Sequence, residues 1–153
     1  MRKLTTALLA GTIASSIILY SNLAISRDDR LQFSIKDALA TDAAKKKLNG
    51  GIRFYFGDQP HPKVDRKFGE FGTNRKSSAF GKSDQKACEW VFLSAMIVLQ
   101  KRALKEGADA VINIYSNYKD NEFKSNSKFE CGAGSFVAGV ALKGKVVKLK
   151  APK

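Results

Sequence analysis

Apolar residues recur every second position in some stretches of the chain and every third or fourth in others, and these periods divide it into elements. Ile52, Phe54 and Phe56 point one way while Arg53 and Tyr55 point the other, the alternation of a half-buried strand over Ile52–Phe56. Gly57-Asp58-Gln59-Pro60-His61-Pro62 breaks that pattern. A second strand is expected over Arg66–Asn74, with Phe68 and Phe71 directed at the core. The strongest element is a helix over Asp84–Glu106, with Ser83 as N-cap, Asp84 in the first turn and Gly107 after the last. Its middle, Trp90 to Leu99, is apolar nearly all round, which predicts burial on more than one side. One side should meet a sheet and the other the N-terminal helices or a second subunit. Ala110–Tyr118 reads as a strand with Val111, Ile112 and Ile114 in the core, and Lys119–Lys128 as a polar turn. Phe129–Leu142 reads as a strand bent near Gly132-Ala133-Gly134. Val146, Val147 and Leu149 extend it or form a last short strand.

Before these elements, Ser34 can cap a turn starting at Ile35, and Thr41 a helix over Asp42–Leu48 that Asn49-Gly50-Gly51 stops. Asp42 suits the positive end of that helix, and Lys45, Lys46 and Lys47 its negative end. The order strand, strand, long helix, strand, strand predicts an α+β fold, a mainly antiparallel sheet packed on one long helix in a single domain. Residues 27–51 are then a short helical lead-in, 52–150 the compact domain and 151–153 a tail.

The first twenty-six residues have a different character. Arg2 and Lys3 precede an uncharged, mostly apolar stretch over Leu4–Tyr20, and Ala24-Ile25-Ser26 sets small residues three and one places before Arg27. This is the pattern of a secretory signal peptide cut after Ser26, which predicts a periplasmic or secreted protein that is soluble after cleavage. The other reading is an uncleaved anchor, for which seventeen residues containing several Ser and Thr are short of the roughly 20 that a span needs. The net charge is +13 overall and +11 once Arg2 and Lys3 are removed. That favours anionic partners, unless the basic surface serves solubility alone. Cys88 and Cys131 are the only cysteines. Their even count in an exported chain favours a disulfide over two buried thiols or one reactive thiol.

Few residues suggest chemistry. Gly139, four residues, Gly144 and Lys145 match most of a phosphate loop, but Val146 stands where Ser or Thr would hold magnesium, and strand rather than helix follows. Gly132-Ala133-Gly134 likewise lacks the helix a dinucleotide site needs. His61 is the only histidine and has no Cys/His cluster around it, so neither a metal site nor a cofactor is expected. No catalytic constellation is apparent, and an enzyme is not expected. From Ile52 to Lys82, aromatic residues interleave with bases as they do in single-strand nucleic-acid binders. The strand alternation already assigns Phe54 and Phe56 to the core, which makes nucleic acid the less favoured partner. Arg53, Lys63, Arg66, Lys67, Arg75 and Lys76 are the expected polyanion contacts, toward an anionic envelope component or an acidic protein. Self-association remains open.

Several segments carry a resemblance. They are Gly51-Ile52-Arg53-Phe54-Tyr55-Phe56-Gly57-Asp58-Gln59, Asn74-Arg75-Lys76, Ser83-Asp84 with Cys88, Trp90 and Leu93, and Gly107-Ala108-Asp109-Ala110-Val111-Ile112-Asn113-Ile114. Glu130-Cys131-Gly132-Ala133-Gly134 and Gly139-Val140-Ala141-Leu142-Lys143-Gly144 complete the set. Together they resemble the small exported Gram-negative proteins labelled "excinuclease ATPase subunit". The helix, Gly-Ala-Asp-Ala, strand and Cys segment is also similar to the Rcs-phosphorelay envelope sensor. The first label implies action on nucleotides or nucleic acid, and neither resemblance supplies catalytic residues. With the incomplete phosphate loop, the expectation is a non-catalytic binding or interaction protein of the cell envelope. A nucleotide- or nucleic-acid-acting protein is the alternative.

Overall fold

A computed structural model describes residues 27–151. The expected signal peptide, residues 1–26, lies outside the described residues. The chain forms strand β1 (Asp28–Ser34), helices α1 (Ile35–Ala40) and α2 (Asp42–Lys47), and strands β2 (Arg53–Phe56) and β3 (Val64–Ser78). Helix α3 (Asp84–Lys105) follows, then β4 (Ala110–Tyr118), β5 (Asn121–Phe123), β6 (Lys128–Gly134) and β7 (Val137–Leu149). The fold is α+β, with one seven-stranded sheet. All its pairings are antiparallel except that of β2 with β4, so the sheet is mixed.

Local signals explain the helices. The Ser34 hydroxyl accepts from the Asp37 N–H, Thr41 from Ala44 and Ser83 from Lys86, each satisfying a donor that a helix start leaves orphaned. Helix α3 ends at Gly107, whose φ of +70° lets Ala108 N–H turn back to the Ala103 carbonyl at 2.9 Å.

The sheet departs from the expected order. Three strands precede α3 and four follow it. Residues 28–34, expected within the helical lead-in, form an edge strand of the sheet, paired with β6 from Asp28↔Gly134 to Ser34↔Lys128. The polar turn after Tyr118 holds β5, and the expected bend near Gly132-Ala133-Gly134 is instead the end of β6, followed by a tight return at Ser135-Phe136. Strand β3 is longer than expected and pairs with β7 from Val64↔Leu149 to Ser78↔Val137. The other edge of β7 is shared by β6, at Ala138 and Gly139, and by β4, between Leu142 and Val147. Where β4 and β6 meet, the Ser116 hydroxyl accepts from the Glu130 N–H at 2.9 Å, and the Tyr118 ring lies where a Cβ on Gly132 would stand. Gly132 is thus required by a close approach rather than by a phosphate.

The main core lies between α3 and the inner side of this sheet. Phe92 stacks on Phe129 at 4.2 Å and approaches Phe56 at 6.1 Å, with Met96, Leu99, Val140, Leu142 and Val146 around them. Helix α3 is not covered all round: Trp90 is half exposed, as is Leu104. Cys88 and Cys131 form a disulfide, with Cα atoms 5.9 Å apart, that joins the second turn of α3 to β6 inside this core. Buried Gln100 donates to the Lys47 carbonyl at 3.0 Å, which ties the end of α2 to α3.

Candidate functional site

The outer side of the sheet is built differently. Alternation along β7 sends Val140, Leu142 and Val146 into the main core and leaves Gly139, Ala141, Lys143 and Lys145 on the opposite side. Paired residues share a face, so β3 adds Glu70 opposite Lys145 and Gly72 opposite Lys143, while β4 adds Ile112 and Tyr115. A small apolar cluster of Ala110, Ile112, Val147 and Leu149 closes one end, with Tyr55 and Val64 packed against it.

Shallow clefts run along this face. One of about 250 Å³ is lined by Lys67, Glu70, Ile112, Lys145 and Val147 among others. A second, of about 310 Å³, lies over Gly72, Asn74 and Ala141 between Lys143 and Lys119. A third, of about 400 Å³, has Lys76, Tyr118, Lys119 and Gly139 in its wall together with Arg27, Phe136 and Val137. Gly72 and Ala141 line the second cleft and Gly139 the third, beside lysines and Asp120 or Asp28, whereas the first is lined by Ile112, Val146 and Val147 with Glu70 between Lys67 and Lys145. Among the described residues, Lys67, Lys76, Lys143 and Lys145 make no salt bridge.

Asp28 and Glu70 each accept from a tyrosine of this region, while Asp120 lines the second cleft and Glu122 lines another with Glu70 and Lys145. Asp28 pairs with Lys119 and accepts from the Tyr118 hydroxyl at 3.0 Å. The Lys119 hydrogen bond first, then that of Tyr118, holds the Asp28 carboxyl below its ordinary range. Desolvation, then the Asp28 hydrogen bond, pushes the Tyr118 phenol up. Tyr115 donates to Glu70 at 3.3 Å, and desolvation followed by the Glu70 charge raises its phenol too, so both tyrosines stay neutral donors.

The six bases expected as polyanion contacts are not brought together. Arg53, on β2, pairs with Asp109 at 3.3 Å. Lys63 lies in the loop before β3, where its carbonyl accepts from Lys150 N–H. Arg66 stands opposite Lys148, and Arg75 opposite the core residue Val140, so both project from the inner side of β3. Only Lys67 and Lys76 line the outer clefts. Lys119, Lys143 and Lys145 complete that group; the sequence offered their charge but not their common face, because the face is assembled from three strands.

The interleaved aromatics divide similarly. Phe56 is buried in the main core, and Phe54, Phe68 and Phe71 pack against it, with the Arg102 guanidinium 4.5 Å above the Phe71 ring. Phe80 is the exception and is 72% exposed. Gly139–Lys145, the partial phosphate-loop match, is strand, with its backbone committed to pairing with β3, β4 and β6. His61 lies beside Tyr55, and its Nδ1 is 2.8 Å from the Pro62 carbonyl oxygen. Among the described residues no group of three or more His, Cys, Asp or Glu could hold a metal ion, and no helix is long and apolar enough to cross a membrane. No protein-family model, curated protein or solved structure matches the chain.

Proposed function

We propose that this chain is a non-catalytic exported protein of the cell envelope that binds an anionic partner across the lysine-rimmed face of its sheet. One observation carries the reading. Lys67, Lys76, Lys119, Lys143 and Lys145 line clefts along one open face, and four of them lack an ion-pair partner among the described residues. A β3 strand of fifteen residues extends about 50 Å, long enough to offer an extended polyanion several contacts. Gly72 and Ala141 in one cleft and Gly139 in another let such a chain approach the backbone there. Export is supported by the tripartite pattern of residues 1–26 and by the Cys88–Cys131 disulfide, a bond typical of oxidising compartments.

Binding to immobilised heparin or lipopolysaccharide tests this. The affinity should fall steeply between about 0.1 M and 1 M salt, as the screening length shortens from about 10 Å to about 3 Å. The double substitution Lys143→Glu/Lys145→Glu should weaken binding at least about tenfold, whereas the same change at Arg53 should do little. Binding that ignores salt, or survives the double substitution, overturns the proposal. ATP turnover abolished by Lys145→Ala would return the protein to the nucleotide-acting alternative.

A further inference from the structure

A second surface feature lies at one end of this face. Phe80, in the loop after β3, and Phe136, in the β6–β7 return, are 72% and 68% exposed. Their rings stack on each other, with centroids 6.3 Å apart and planes within 5°. The Ala79 N–H donates to the Phe136 carbonyl at 2.8 Å, which fixes the two loops side by side. Val137 beside them is half exposed. Two outward rings held in place by backbone pairing form a rigid apolar patch whose adjoining surface is charged.

The surroundings indicate the occupant. Lys76 lines the cleft under Phe136, and Lys82 anchors on the Ser78 carbonyl at 2.9 Å; neither is in a salt bridge among the described residues. The nearby carboxylates are engaged, Asp29 and Asp84 by the one guanidinium of Arg27 and Asp28 by Lys119, so with Lys76 and Lys82 four bases stand against three acids. Rings that can enter hydrocarbon, next to lysines that can stay among headgroups, complement an anionic bilayer surface.

We infer that the Phe80–Phe136 pair, flanked by Lys76 and Lys82, is a docking tip for anionic lipid membranes. The rings and Val137 enter the interface while the two lysines meet headgroup phosphates. The tip adjoins the third lysine-rimmed cleft and shares Lys76, Phe136 and Val137 with it, but it does not require that the clefts bind a polymer.

The test uses protein isolated from cells expressing the full chain. Its probes are vesicles of phosphatidylcholine alone and vesicles of phosphatidylcholine and phosphatidylglycerol in equal parts. Co-sedimentation is expected with the mixed vesicles. Phe80→Ser/Phe136→Ser should weaken it at least about tenfold without changing the charge. Phe80→Leu/Phe136→Leu, which keeps apolar area, should restore most of it. Lys143→Glu/Lys145→Glu lies outside the tip and should keep most vesicle binding while losing heparin, so failure here and failure of the polyanion reading are separate results. A Phe136→Trp probe in a Trp90→Phe background should shift its emission to the blue on mixed vesicles. The inference is overturned by absence of vesicle binding in the parent protein, or by equal binding of the serine variant. It is also overturned by a dimer that the serine variant dissociates, which would assign the tip to self-association.

Discussion

The two faces of β7 differ although they belong to one strand. Inward, Val140, Leu142 and Val146 meet Phe92, Met96 and Leu99 of α3 in a core closed by a disulfide. Outward, Gly139, Ala141, Lys143 and Lys145 lie on a face that no helix covers among the described residues. The inner residues must fill volume, so changes there act on stability. The outer residues support little packing, so their charge can serve binding at small cost to the fold.

The largest expected effect lies inward. Phe92→Ala removes the ring stacked on Phe129 at 4.2 Å and should cost about 3–5 kcal/mol, read as a lower denaturation midpoint. Polyanion binding by the fraction that remains folded should be unchanged. Equal loss of binding and stability would erase the distinction between the faces.

Next is the disulfide. It closes a loop with a sequence separation of 43, for which chain entropy gives up to about 4 kcal/mol. Reduction, or Cys88→Ser with Cys131→Ser, should lower the melting temperature by several degrees. Denatured, unreduced protein should take up no thiol label. By contrast, the charge reversals at Lys143 and Lys145 used above to weaken binding should move the melting temperature only slightly.

The smallest effect should come from Asp28, where β1 meets the outer face. Its folded pKa is depressed, so its contribution is present above the ordinary carboxylate range and is lost as pH falls through the folded value. Solvent screening keeps it modest, because the Asp28 side chain is 38% exposed. Stability measured across the acid range should fall less in Asp28→Asn than in the parent. A parallel decline in both would place the acid sensitivity elsewhere.

These faces were unequally legible. Helix α3 could be placed from Ser83, Asp84 and Gly107 because a helix satisfies its backbone locally and announces its ends in nearby residues. The same holds for the Ser34 and Thr41 caps. Strand β4 was equally readable from Ala110 to Tyr118, where a run of apolar residues is bounded by turn residues. Compartment chemistry and parity singled out the Cys88–Cys131 pair, which the structure joins.

Only the tertiary structure could decide the rest. Asp28–Ser34 has just Leu31 and Phe33 as apolar residues, and it is a strand because β6 offers an open edge. The polar ends of β3 are strand because β7 runs the full length beside them. The lysine face gathers Lys67 and Lys76 from β3, Lys119 from just after β4, and Lys143 and Lys145 from β7, while Arg66 and Arg75, near neighbours of two of them, leave on the other side. A strand's hydrogen bonds are made with a distant partner. Which side a charge faces therefore depends on register and bulges, such as the shift between Lys67 and Gly69, that no local pattern records.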